Sequence, residues 1–328
     1  MDEKADLQLP VDGMTGCLAA CLAQKQSHPH LRLLLSIGGS SGSSTFAEVA
    51  SSAVTRDTFA ASARQFIDKY NFDGVDSKYM HPSSLSRIHS SLNPSLTPVV
   101  SPVDWEHPKD ANQGRDYLSL LQTCRKHLPS PQYLLTSALP TGEWCLRNID
   151  ISTVATTLDW INLMCYDFSG PWTELSGHQC QLYSPEHPHN AFAKRSCDAA
   201  VKYLFGRGVP GSKVVIGIPV YGRSFLGTNN IGQQFNGHAG EAGGVIEYKD
   251  LPRTNAVEYV DWNVGAAFSV GGDAGFVSYD VPATVTAKAQ FVKQKGLRGL
   301  FYWTGVADAP LDRGDRSLIR AGWAELSS

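Results

Sequence analysis

The chain has 328 residues, 42% of them hydrophobic and 18% charged, with 28 basic against 31 acidic side chains for a formal net charge of -3. That balance excludes an extended disordered chain, leaves no basic footprint for nucleic acid, and argues against a polyanionic substrate. The length suits one α/β barrel, which takes roughly 200–400 residues, or two smaller domains, and no apolar run approaches the roughly 20 residues of a membrane span.

The start, "MDEKADLQLP", is charged where a secretory signal would be basic and then apolar. The chain as written is therefore expected in the cytoplasm, or outside the cell if an upstream exon carries a signal. The first strand-like run is "LRLLLSIGG" (31–39), followed by helical spacing in "RDTFAASARQFIDKY" (56–70) and a strand in "NFDGVD" (71–76). Helical spacing returns in 114–128, then strands in "QYLLTSALP" (132–140) and "DWINLMCYD" (159–167), a helix over 191–208, and a strand in "KVVIGIPVYG" (213–222). A last helix, 282–296, precedes "LRGLFYWTG" (297–305). Strands alternating with helices predict parallel strands joined by crossover helices, in a barrel or a doubly wound sheet. The strands are apolar on both faces and end in Asp76, Asp167, Tyr221 and Trp303, which is where a barrel carries its active-site face.

Between 227 and 276 the rhythm gives way to glycine-rich and aromatic sequence, which predicts a small inserted lobe of hairpins between the last two strands. The expected domains are thus a barrel of 1–226 and 277–328 and a lobe of 227–276. The seven cysteines, at 17, 21, 124, 145, 165, 180 and 197, are scattered and contain no C-x-x-C pair. They read as mostly buried thiols rather than a zinc cluster or a disulfide framework. His28 with His30 and His187 with His189 lie in proline-bearing loops without acidic or thiol companions, so no metal is expected, and no cofactor is called for.

After Asp76 the strand gives way to "SKYMHPSS", and "SPVDWEHP" (101–108) reads like its missing half. Joining the halves gives D-x-x-D-x-D-x-E, with Asp73, Asp76, Asp104 and Glu106. Alternate side chains of a strand share a face, so Asp76, Asp104 and Glu106 would point inward together. Three crowded carboxyls cannot all ionise at ease; at least one pKa is raised, as a general acid at neutral pH requires. A competing pattern, G-x-S-x-G at Gly38–Gly42, also follows an apolar strand. A serine hydrolase would further need an acid and a later histidine. His238 is the only histidine after His189 and has no clear strand before it, so this pattern reads as a tight loop.

The joined motif resembles the D-G-x-D-x-D-W-E signature of the glycoside hydrolase family 18 chitinases, especially the fungal type. The resemblance extends in the family's order through "LLLSIGG", "INLMCYDFSGPW", "GIPVYGRSF" and "GLFYWTGVAD". It implies a (β/α)8 barrel that hydrolyses β-1,4-linked N-acetylglucosamine polymers with retention of configuration, by a substrate-assisted route. Glu106 would protonate the leaving oxygen and then activate water, while Asp104 steers the substrate acetamide that attacks C1 and Asp76 shares its charge. Tyr166 would hold the acetamide. Asp73, Met164, Asp167, Tyr221 and Arg223 would belong to the sugar site, and Trp303 would lie under the sugar ring, with Trp144 and Trp172 as further platforms or core residues. The partner implied is chitin or a chito-oligosaccharide, with no nucleic acid, no membrane and a monomeric state expected.

Two departures from the family are visible. The opening "DEKADLQLPVDGMTGC" resembles the stretch after the second barrel strand, so the chain is expected to lack about the first two strands. Residues 77–103 stand where the family has one residue, usually isoleucine; their serine- and proline-rich composition predicts a disordered loop or a retained intron. Ser77-Lys78-Tyr79 can be encoded with a splice donor and Pro102-Val103 with an acceptor, and excision restores "DGVDIDWEHP" in frame. As a translated insertion it would leave weak or absent activity, because an acid displaced by about 1 Å can lose on the order of 100-fold in rate. The alternatives are a chitin-binding, lectin-like protein without hydrolysis and an endo-β-N-acetylglucosaminidase.

Overall fold

The computed structural model describes residues 8, 10–11, 14–38, 45–78, 108–188 and 190–328. They fall into two compact units: the first holds the described residues through 78, with 108–137 and 148–159, and the second holds 138–147 with those from 160 on.

In the first unit a short hairpin, β1 (Pro10–Val11) with β2 (Met14–Thr15), leads into α1 (Cys17–Ser27). Next come β3 (Leu34–Gly38), α2 (Phe46–Ser51), α3 (Ala53–Lys69), β4 (Gly74–Lys78) and α4 (Ala111–His127). β3 and β4 pair in parallel from Leu34 opposite Gly74 to Gly38 opposite Lys78. α4 starts where the Asp110 carboxylate accepts from Asn112 N and Gln113 N, two of the amides a helix start leaves open. Its buried residues Tyr117, Leu120, Leu121 and Cys124 form a single i, i+3, i+4, i+7 stripe. Gly74 is required by close packing: a Cβ there would run into the backbone of Leu134 at the start of β5 (Leu134–Pro140). α6 (Ile151–Thr157) completes this unit.

β5 runs on into the second unit and is followed there by the single turn α5 (Glu143–Leu146). That unit also contains β6 (Trp160–Met164), α7 (Cys197–Gly206), β7 (Val214–Pro219) and, near the end of the chain, α8 (Pro282–Lys295), β13 (Gly299–Trp303) and α9 (Leu318–Ser327). β6 and β13 flank β7 in parallel. β7 is buried along its whole length, which accounts for its unbroken apolar run.

Two sequence expectations shift here. The run 213–222 is not one strand, because the chain leaves the parallel ladder after Pro219, whose nitrogen cannot donate, and β8 (Tyr221–Phe225) joins another sheet. With β9 (Val245–Glu247), β10 (Ala256–Asp261), β11 (Ala266–Gly271) and β12 (Phe276–Tyr279) it forms an antiparallel sheet in the order β10-β11-β12-β8-β9. The strands of this antiparallel sheet run from Tyr221 to Tyr279. The helix expected over 191–208 begins only at Cys197, because the Ser196 hydroxyl caps it by accepting from Ala199 N at 3.1 Å.

All seven cysteines are free thiols, and Cys124, Cys145, Cys165, Cys180 and Cys197 are buried. Among the described residues no helix is long and apolar enough to cross a membrane.

Candidate active site

β6 ends at Met164, and the following residues alternate as a strand would: Met164 and Tyr166 are largely buried on one side and Cys165 is buried on the other. Tyr166 fits because Gly217 on β7 has no side chain. A Cβ there would lie 2.6 Å from Cε1 of Tyr166 and 2.6 Å from Cζ of Phe301. Gly217→Ala is therefore expected to push the Tyr166 ring out of place and to cost about 1–3 kcal/mol of stability. The checks are a thermal melt and a titration with an N-acetylglucosamine oligomer, which should bind more weakly than to the unchanged protein.

The chain turns sharply at Asp167, which has φ +59°. A left-handed non-glycine residue is unusual and persists only where its surroundings hold it. Here three donors hold one carboxylate oxygen: Tyr221 Oη at 2.9 Å, Arg223 Nε at 2.8 Å and Arg223 Nη2 at 2.8 Å all reach Asp167 Oδ1. Tyr221 and Arg223 alternate on β8, so the strand delivers both to the same place. Burial, with the Asp167 charge second, pushes the Tyr221 hydroxyl well up, so it stays a proton donor. Burial works against the Arg223 charge, but Asp167 and Tyr221 outweigh it and its pKa rises. Arg223 also donates to the Gly243 carbonyl at 2.6 Å and lies 4.9 Å above the Trp172 ring, fixing that indole.

Removing Asp167 would strand a buried guanidinium. Asp167→Ala is expected to destabilise the protein by about 3 kcal/mol, and Arg223→Met in that background to restore part of it, since a buried charge without a partner costs more than no charge. Thermal unfolding of the single and double variants decides this.

Tyr166, Asp167 and Trp172 border a cavity of about 290 Å³. Pro140, Thr141, Gly142 and Trp144 line it from the end of β5 and α5; Met164, Tyr166, Asp167 and Phe168 line it from β6 onward; Trp172, Phe192 and Arg195 complete it. Trp144 is 37% exposed and Trp172 half-buried, so both are cavity walls rather than closed core.

The structure thus brings together Trp144, Met164, Tyr166, Asp167 and Trp172, with Tyr221 and Arg223 behind Asp167. Trp303 ends β13, is 36% exposed, and is not among the residues lining this cavity. Asp76 belongs to the other unit, where Thr136 Oγ1 donates to Asp76 Oδ1 at 2.5 Å and Ser36 Oγ lies 3.5 Å from Oδ2. Asp73 stands apart from Asp76. It precedes β4 at the N-terminal end and clamps the base of that unit, accepting from Leu33 N at 2.8 Å and pairing with Lys25 at 3.0 Å and Arg32 at 3.4 Å. Asp104 and Glu106 lie outside the described residues, as do 39–42 of the G-x-S-x-G pattern. Phe192 and Arg195 were missed because their segment reads as helix. Gly142 leaves room for the Trp144 indole, with which a Cβ there would collide.

Residues 2–308 match the family described as Glycosyl hydrolases family 18. The chain belongs to that family. Chitinase 1 of Aphanocladium album is 33% identical over 325 residues, which is 95% of this chain and 70% of that protein. Among solved structures, chitinase ChiA74 from Bacillus thuringiensis has a TM-score of 0.82 at 26% identity over 99% of this chain, which spans 57% of that one. The human pseudo-chitinase YKL-39, described as retaining chitooligosaccharide binding, has a TM-score of 0.79 at 24% identity over 95% of this chain and 85% of that one, a likeness of fold. The α/β class and the barrel-type fold of family 18 expected from the sequence are borne out, as is the resemblance to fungal chitinases.

β4 continues past Asp76 through the backbone of Ser77 and Lys78, opposite Ile37 and Gly38 of β3. Those are the two strand positions that the joined motif would give to isoleucine and to Asp104.

Proposed function

We propose that the protein is a chitinase-type carbohydrate protein whose cavity at the end of β6 takes N-acetylglucosamine units of chitin or its oligomers. The observation that carries this is the convergence of Met164, Tyr166 and Asp167 with Trp144 and Trp172 in one cavity, the carboxylate held in place by Tyr221 and Arg223. Flat aromatic walls suit the apolar faces of a pyranose ring, while a tyrosine hydroxyl and a fixed carboxylate suit the hydrogen-bonding groups of an acetamide.

In the mechanism the family implies, Glu106 is the acid and then the base. Asp104 orients the acetamide whose carbonyl oxygen attacks C1, and Asp76 shares the charge of Asp104. That arrangement needs β4 to resume at Asp104. With Ser77 and Lys78 in those strand positions, hydrolysis by this chain is weak or absent, because an acid displaced by about 1 Å can lose on the order of 100-fold in rate. The same observation favours the second reading, retained binding without turnover. Incubation with insoluble chitin separates the two: capture on chitin without released sugar supports binding alone, release at an ordinary chitinase rate refutes the effect assigned to residues 77–103, and neither capture nor release sinks the carbohydrate reading.

A further inference from the structure

Beside the aromatic cavity lies a second one, of about 470 Å³, between the Thr141–Trp144 turn and α7. Arg147, Lys194 and Arg195 line it against a single carboxylate, Glu143, and among the described residues none of the three cations forms an ion pair. Arg195 is the informative one. It is half-buried, stacked 4.7 Å over the Phe192 ring, and its pKa is lowered chiefly by burial. A charge drawn out of water without a counter-charge is costly, and a bound anion is what would repay it. Tyr203 on α7 lines the same cavity, and its hydroxyl oxygen is buried without a hydrogen-bond partner among the described residues.

The amides at the start of α7 are already used: Cys197 N bonds Gln181 O at 3.1 Å, Asp198 N bonds Leu182 O at 3.0 Å, and Ala199 N bonds the Ser196 hydroxyl. Any anion would therefore be held by side chains. The ordinary alternative is a solvated basic patch, which describes the exposed Arg147 and Lys194 but not the withdrawn Arg195 and the unpartnered Tyr203 hydroxyl.

We infer that this pocket binds one oxyanion, a carboxylate or a sulfate or phosphate group, held by Arg147, Lys194 and Arg195 with Tyr203 Oη as a neutral donor. Thr141, Gly142, Trp144 and Arg195 line both cavities, so an acidic substituent on a glycan seated in the first would meet the second. That glycan-borne source rests on the carbohydrate reading above; anion binding itself does not.

The test is calorimetric titration of the full chain with sodium sulfate and with inorganic phosphate at low ionic strength, against matched sodium chloride. Saturable binding is expected, weakened at least about tenfold in the Arg147→Ala/Lys194→Ala double variant, because charge-assisted hydrogen bonds to an anion are lost. Both substituted residues are exposed, and an unchanged melting temperature verifies the fold of the variant. No saturable binding, or equal binding by the double variant, overturns the proposal. A second arm compares a neutral chito-oligosaccharide with one carrying a single carboxylate or sulfate ester. Tighter binding of the acidic sugar, lost in the double variant, supports a glycan-borne anion; equal binding of the two sugars beside a positive sulfate titration supports a free one. Failure of both sugars with sulfate binding intact counts against the carbohydrate reading alone.

Discussion

Replacing residues 77–103 by one isoleucine should raise hydrolysis of an N-acetylglucosamine oligomer by at least about 100-fold over the chain as it stands. Strand register decides where the carboxylates fall. β3 holds β4 in a ladder that runs to Gly38 opposite Lys78, and side chains on a strand repeat every second residue. With isoleucine at the first of the two contested positions, Asp104 falls on the face of Asp76 and Glu106 follows on the same face. Loop entropy is not the obstacle, since it grows slowly with loop length. Placement is, because catalysis by proximity tolerates little displacement. Equal rates from the two chains would show that the insertion does not disturb the acid.

In the isoleucine-joined chain, Glu106→Gln should lower the rate by about 100- to 10,000-fold while leaving oligomer binding nearly unchanged. Glutamine has the shape of glutamate but no proton to give to a leaving oxygen at neutral pH, and the cavity walls are untouched by the change. Steady-state rates with calorimetric binding read both quantities. A loss of binding equal to the loss of rate would assign Glu106 to substrate holding instead of proton transfer, and an unchanged rate would remove it from the chemistry.

Much of this was legible in the sequence, and the failures have physical causes. The parallel strands were read well because strands buried on both faces leave continuous apolar runs, as in β7. The same property hid the break at Pro219, where one apolar run feeds two sheets. Met164, Tyr166 and Asp167 were placed by a strand and the residues just past its end, which local sequence controls. Phe192 and Arg195 come from turns before a serine-capped helix, and the fold alone decides that they face the cavity. Asp73 was grouped with Asp76 although an odd spacing on a strand sends side chains to opposite faces; the structure shows it bound to Leu33 N, Lys25 and Arg32. The local sequence at Asp76 marks a loss of apolar character but says nothing about whether hydrogen bonding to β3 stops there, and it does not.

The central claim is that the cavity bounded by Trp144, Tyr166, Asp167 and Trp172 takes N-acetylglucosamine chains whether or not they are cut. It is tested most directly by calorimetric titration of the full chain with the N-acetylglucosamine tetramer, beside a Trp144→Ala/Trp172→Ala variant. The account predicts saturable binding to the full chain that weakens by about tenfold or more in the variant, since stacked aromatic surface is lost from both walls. No binding to the full chain, or the same binding by the variant, would contradict it.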